Sequence, residues 1–226
     1  MRDGDLMEST RESTFISSTT GGSGRPGPRV SAAVMAGGKG VRLGADKALV
    51  ELGGQSLLER ALTVLGEVSD DLLVVGREGE FGRGVRAVVD ARPGCGALGG
   101  IYTALLAARH DRCLVVATDM PFLNRELLAH IATLSADFDV VAPRLEEQPD
   151  TMHAAYSKAC LEPIEELLDR GRYRITGFFD RVRVRYLDRD EVARFDPELR
   201  SLYNVNLPDE LAQARSLLGG ESAGAG

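Results

Sequence analysis

Val34-Met35-Ala36-Gly37-Gly38-Lys39-Gly40-Val41-Arg42-Leu43-Gly44-Ala45-Asp46-Lys47 decides how the rest of the chain is read. An apolar run over residues 30–35 leads into this stretch and has the pattern of a buried strand. Glycines follow at 37, 38, 40 and 44, with Lys39, Arg42 and Lys47 among them. A strand opening into such a loop brings backbone N–H groups close to an anion, because glycine has no Cβ in the way and tolerates φ > 0. The three cations can then neutralise phosphate charge. The chemistry described is a loop that wraps a nucleoside triphosphate. The plain alternative is a glycine-rich surface turn with scattered charges.

Two other phosphate loops fail on spacing. The P-loop requires Lys-Ser or Lys-Thr after its last glycine, and Gly44 is followed by Ala45-Asp46. The dinucleotide fingerprint G-x-G-x-x-G begins at Gly38-Lys39-Gly40, but Leu43 stands at the third glycine position. Its helix should also open inside the loop. Here residues 48–52 are apolar and end at Gly53-Gly54, so the first good helix starts only at Ser56.

From residue 30 onward, strand-like and helix-like segments alternate. Ser56 and Glu59 form a capping box, and Leu57, Leu58, Ala61, Leu62 and Leu65 give a helical stripe behind it. Residues 71–76, 85–89, 112–118 and 139–142 read as strands, and 98–109 and 124–134 as helices, the latter capped by Asn124. Beyond Pro143 the pattern loosens. A polar loop over 146–152 precedes a strand at 153–157, helices at 158–170 and 175–180, a half-buried strand at 181–186 and a closing helix at 209–218. This alternation argues a mainly parallel sheet covered on both faces, joined by right-handed crossovers.

The chain of 226 residues suffices for one α/β domain and is short for two. Residues 1–29, rich in Ser, Thr, Gly and charge, read as a disordered tail without a secretory signal's apolar centre. Residues 30–218 form the domain, and 219–226 read as a second disordered tail. A net charge of −7 argues against nucleic acid as a partner and makes the local cations of the loop more telling. Cys95, Cys113 and Cys160 fit neither a disulfide framework nor a C-x-x-C metal site, which points to a reducing cytoplasm. No apolar run approaches the roughly 18 residues of a membrane span.

Asp119 is the sharpest single position. It follows the buried run 114–118 and precedes Met120-Pro121. In an open α/β sheet ligands bind beyond the carboxyl ends of the strands, where the glycine loop also lies. A carboxylate facing a phosphate loop is repelled unless a cation sits between them, and Mg²⁺ is held by one or two carboxylates plus substrate phosphates. The competing role, a cap for the next helix, already suits Asn124. Asp90 follows the strand at 85–89 in the same way. It could meet the ribose, the base or the metal, or simply begin the turn before Arg92-Pro93-Gly94. Pro93-Gly94-Cys95-Gly96-Ala97-Leu98-Gly99-Gly100-Ile101 places four glycines before a helix, for close approach either to a ligand or to the sheet.

The ordered motifs resemble the molybdenum cofactor guanylyltransferase family. The loop matches G-G-x-x-x-R-[ML]-G-x-D-K from Gly37 to Lys47, and PGCGALGGI, Asp119-Met120-Pro121-Phe122-Leu123 and Tyr203-Asn204-Val205-Asn206-Leu207-Pro208 follow in the family's order. The resemblance implies a single-domain Rossmann-like three-layer α/β sandwich of the nucleotide-diphospho-sugar transferase type. It implies Mg²⁺-dependent transfer of GMP from GTP to the molybdopterin cofactor with release of pyrophosphate. By position, Met35, Ala36, Gly37, Gly38, Lys47, Asp90 and Asp119 contact the nucleotide. Arg42, Lys47 and Asp119 carry the catalysis, and Asp119 with Asn206 holds the metal. A molybdoenzyme or a cofactor-delivery protein is an implied partner. Met35-Ala36-Gly37-Gly38 is closer to the guanylyl form L-A-G-G than to the cytidylyl form T-A-A-G.

Other polar residues carry less. His110 and His130 sit on helical stretches without a spaced partner and read as surface histidines. His153 lies in a stretch resembling the family's P-[LT]-H near the acceptor, and could serve there or be structural. Arg172, Arg174, Arg181, Arg183 and Arg185 read as a solvated strand face, or as a dock for an anionic pterin phosphate or a partner. The rival functions are transfer from CTP or to a sugar phosphate, a non-catalytic nucleotide and cofactor carrier, and a Rossmann oxidoreductase.

Overall fold

Alternation along the first strand sets the layers. The computed structural model describes residues 29–37 and 46–223. The tail up to residue 28, Gly38, Lys39, Arg42 and the rest of the loop centre at 38–45, and residues 224–226 lie outside the described residues. In β1 (Ser31–Met35), Ala32 and Val34 join the core on one face of the sheet, and Ala33 and Met35 the core on the other. β1 pairs in parallel with β4 (Asp71–Val75) on one side and β6 (Arg112–Ala117) on the other, with Ala33 opposite both Leu73 and Val115. All three are nearly continuous apolar runs, as expected of strands buried on both faces.

The full sheet has seven strands. β5 (Val85–Val88) lies outside β4; beyond β6 come β8 (His153–Ser157), β7 (Val140–Pro143) and β9 (Val184–Leu187). Every neighbouring pair is parallel except those of β8, which runs antiparallel to β6 and β7. A small hairpin of β2 (Glu51–Leu52) and β3 (Gln55–Ser56) stands apart. Helices α1 (Leu57–Gly66) and α3 (Arg125–Leu134) cover one face, and α2 (Gly96–Ala107) and α4 (Leu161–Asp169) the other. The result is the expected Rossmann-like three-layer α/β sandwich with a mainly parallel sheet.

Caps and stripes act as the sequence indicates. Ser56 Oγ accepts from Glu59 N at 3.2 Å, the Glu59 carboxylate accepts from Ser56 N at 2.8 Å, and the α1 stripe is buried. Asn124 Oδ1 accepts from Leu127 N at 2.9 Å and starts α3.

The structure departs from the sequence expectation in several places. α2 begins at Gly96, two residues before the expected start. The helix expected from 158 splits into a 3-10 turn (Lys158–Cys160) and α4, and Ile175–Arg181 is a 3-10 helix. α5 (Arg189–Ala193), capped by Asp188, was not expected. α6 (Pro208–Ala223) runs past the expected end at Leu218. The crossovers do not all share one hand. α1 carries the chain from β1 toward β4, and α3 carries it from β6 in the opposite direction toward β7, over the same face of the sheet. These two connections therefore have opposite hands, and the position skipped by α3 is filled by the antiparallel β8.

A third apolar cluster positions the site. Leu52, Leu57, Val205 and Ala214 are fully buried together, with Phe122, Tyr203 and Leu218 against them. They fasten residues 203–206 and α6 to the hairpin, and Val205 N bonds Asp119 O just beyond the carboxyl end of β6. Among the described residues, no helix is long and apolar enough to cross a membrane.

Candidate active site

The chain moves outward from β1 to β4 and β5, then crosses by α2 to β6 on the other side of β1. This reversal opens a crevice beyond the carboxyl ends of β1 and β6, where open α/β sheets bind ligands. A cavity of about 580 Å³ occupies it, within the usual size for a small-molecule site. Met35, Ala36 and Gly37 from the end of β1, Asp46 and Lys47 from the far stem of the glycine loop, Asp90 after β5, and Thr118 and Asp119 after β6 all line it. Gly94, Gly96, Ala97 and Gly100 contribute the α2 side. Gly38 and Arg42 lie outside the described residues.

Lys47 is the junction. Its Nζ lies 3.0 Å from Asp119 Oδ2 and donates to Asn206 Oδ1 at 2.6 Å. These residues come from three segments, with Asn206 separated from Lys47 by 159 positions. Each is held by the backbone around it. Asp46 Oδ1 accepts from Ala48 N at 3.1 Å and caps the 3-10 turn Lys47–Leu49 that carries Lys47. Thr118 Oγ donates to Met35 O at 2.6 Å, tying the end of β6 to β1. Asp119 O accepts from Val205 N at 2.8 Å, which sets Asn206 beside it.

The pair Asp119 and Asn206 was expected to hold a divalent metal. Their oxygens both meet the Lys47 ammonium. Two hard oxygen donors suit Mg²⁺, which takes its remaining ligands from water and substrate phosphates. Among the described residues no cluster of three or more His, Cys, Asp or Glu is arranged to hold a metal, so a metal here depends on such outside ligands.

Gly37 and Gly76 approach backbone to backbone. Gly76 has φ +81, and a Cβ there would come within 2.8 Å of Gly37 Cα. The Asp90 carboxylate lies beside this contact and lines the cavity. The glycines of PGCGALGGI lie at the cavity and against β1. Gly94, Gly96 and Gly100 line the cavity, and a Cβ at Gly100 would also collide with Cε of Met35.

His153 is fully buried, and neither ring nitrogen has a hydrogen-bond partner among the described residues. Burial pulls its pKa down to about 4, opposed by the Ser201 backbone and the Asp196 carboxylate. Met152, not His153, reaches the cavity. Three arginines of the run are paired with carboxylates, Arg181 with Glu166, Arg183 with Asp139 and Arg185 with Glu191, and Arg174 donates to Gln148 at 3.4 Å. His110 contacts Asp70 at 2.6 Å, and His130 contacts Glu191 at 3.0 Å.

Two charged residues near the site escaped the sequence reading. Arg77 Nη1 lies 2.5 Å from Asp46 Oδ2. Asp150, in the loop before β8, accepts from Met152 N at 3.1 Å. Burial raises its pKa to about 6 against that hydrogen bond, and the charge of Asp119 adds to the rise. Nothing in local composition marks Arg77. The turn-forming Asp-Thr-Met spacing was the available signal for Asp150.

A seven-stranded sandwich with a glycine loop after its first strand, and a carboxylate beyond the central strand beside it, defines the nucleotidyltransferase class of α/β enzymes. The chain belongs to the family of the MobA-like NTP transferase domain, whose family model matches residues 32–184. It is 36% identical over 184 residues to a probable molybdenum cofactor guanylyltransferase of Pelotomaculum thermopropionicum, covering 80% of this chain and 90% of that protein. A probable molybdenum cofactor guanylyltransferase of Methanosarcina mazei is 34% identical over 196 residues, covering 80% and 88%. The crystal structure of molybdopterin-guanine dinucleotide biosynthesis protein A from Archaeoglobus fulgidus superposes with a TM-score of 0.73 at 28% identity, covering 84% of this chain and all of that one.

Proposed function

We propose that this enzyme transfers GMP from GTP to the molybdopterin cofactor and releases pyrophosphate. The observation that carries the reading is the meeting of Lys47, Asp119 and Asn206 at the mouth of the glycine loop. An acceptor phosphate oxygen attacks the α-phosphorus of GTP in line. The bond to the β-phosphate oxygen breaks, and pyrophosphate leaves with the electron pair. The acceptor phosphate is ionised near neutral pH, so positioning and charge stabilisation suffice.

Met35, Ala36, Gly37 and Gly38 present backbone to the nucleotide, with Asp90 at its sugar or base. Lys47 and Arg42 take the charge that builds on the leaving pyrophosphate. Asp119 and Asn206 would hold Mg²⁺, which supplies Lewis-acid polarisation of the α-phosphate oxygens when bound. The family names of the relatives support the guanylyl donor and the molybdopterin acceptor. The three free thiols fit a reducing cytoplasm, and a molybdoenzyme or its delivery protein would receive the product.

The test is pyrophosphate release from each of the four NTPs, with and without molybdopterin. Release from GTP only when the acceptor is present is expected. A preference for CTP would move the enzyme to the cytidylyl relatives. Tight GTP binding without release would make it a carrier.

A further inference from the structure

Among its described lining residues, the cavity holds more carboxylate than cationic charge. Three carboxylates, Asp46, Asp90 and Asp119, line it, against the single ammonium of Lys47 among its described lining residues. Lys47 answers Asp119. Asp46 is answered from outside the cavity by Arg77, whose guanidinium Nη1 lies 2.5 Å from Asp46 Oδ2, with the side chains 24% and 43% exposed.

The other Asp46 oxygen is committed to Ala48 N, and the Asp46 backbone carbonyl accepts from Leu49 N at 2.9 Å. Asp46 is therefore occupied in shaping the turn that aims Lys47. Arg77 sits at the end of β4, where consecutive residues grip both stems of the glycine loop. Val75 O accepts from Ala36 N at 2.9 Å, Gly76 abuts Gly37, and Arg77 holds Asp46.

Resting on the triphosphate reading above, we infer that Arg77 is a positioning residue of the nucleotide site. It cancels the Asp46 charge that would repel the phosphates, and it fixes the turn that carries Lys47. Arg77 acts through Asp46. Its loss leaves a bare carboxylate facing a polyanion, which weakens nucleotide binding more than the chemical step.

The experiment measures GTP affinity by calorimetry, with Mg²⁺ present, and pyrophosphate release, in wild type, Arg77→Ala, Arg77→Lys, Asp46→Asn and the double variant Arg77→Ala/Asp46→Asn. Melting curves check each fold. Arg77→Ala should weaken GTP binding by about tenfold, the scale of one unit charge several ångström from a polyanion at intermediate dielectric, with kcat changed less than Kd. The deficit should shrink as salt rises. Arg77→Lys should keep most of the affinity. Asp46→Asn removes the charge while its side-chain oxygen can still accept from Ala48 N, so in the double variant it should restore binding to within about threefold of wild type. A purely structural role for Arg77 would show no such rescue. Wild-type affinity in folded Arg77→Ala, or a double variant no better than the single one, overturns the inference and leaves the GTP reading standing. Wild-type protein that binds no GTP overturns the reading itself.

Discussion

At the scale of single residues, the site is a problem of charge placement. Lys47 bonds Asp119 and Asn206 together, so it both neutralises the carboxylate and stands at the far stem of the glycine loop. If it acts chiefly on charge that develops on the leaving pyrophosphate, Lys47→Ala should lower kcat more than it weakens GTP binding. Asp119→Asn should fold normally and lose on the order of 10²–10³ in turnover, the scale of one preorganised electrostatic element. Titration calorimetry with GTP and pyrophosphate release with the pterin acceptor measure both. Near-normal turnover in a folded Asp119→Asn protein would remove that carboxylate from the mechanism. Unchanged rates in Lys47→Ala would detach the glycine loop from the triphosphate.

At the scale of elements, the carboxyl end of β4 deserves to be weighed against β1 itself. Only glycine fits at position 76, because φ is +81 and the nearest atoms to a Cβ are the backbone Cα and N of Gly37. Backbone cannot swing aside as a flexible side chain can. Gly76→Ala should therefore cost about 1–3 kcal/mol through strain and displacement. It should also weaken GTP binding, since the shift falls on the stem of the loop. Chemical denaturation and calorimetry read the two effects. A stable Gly76→Ala protein with wild-type affinity would show that the contact of β4 with the loop is incidental. α1, by contrast, is held by its own capping box and buried stripe, and needs no help from the site.

At the scale of the whole molecule, acid stability reports on a buried group outside the cavity lining. His153 is neutral in the fold with its pKa held down to about 4, below the usual value near 6.5. The unfolded chain therefore binds a proton that the fold refuses between pH 6.5 and 4, so stability is full above pH 6.5 and declines as pH falls through that window. Asp150, raised to about 6, works in the opposite sense below pH 6. Comparing His153→Leu with wild type isolates the histidine. The variant should lose less melting temperature between pH 7 and 4.5. An equal acid slope in both proteins would count against a buried neutral histidine. The sequence by itself determined what depends on local pattern: the apolar runs of β1, β4 and β6, the caps of α1 and α3, the glycine loop, and the carboxylate at the end of β6. Those features follow from backbone period, Cβ sterics and strand ends, all readable within a few residues. Only the tertiary structure decided which polar side chains meet. Asn206 reaches Lys47 across 159 positions, because a small apolar cluster fastens residues 203–206 and α6 to the hairpin. Arg77 finds Asp46 because β4 is the neighbour of β1. The opposite hand of the α3 connection and the burial of His153 likewise depend on strand order, which no local period encodes.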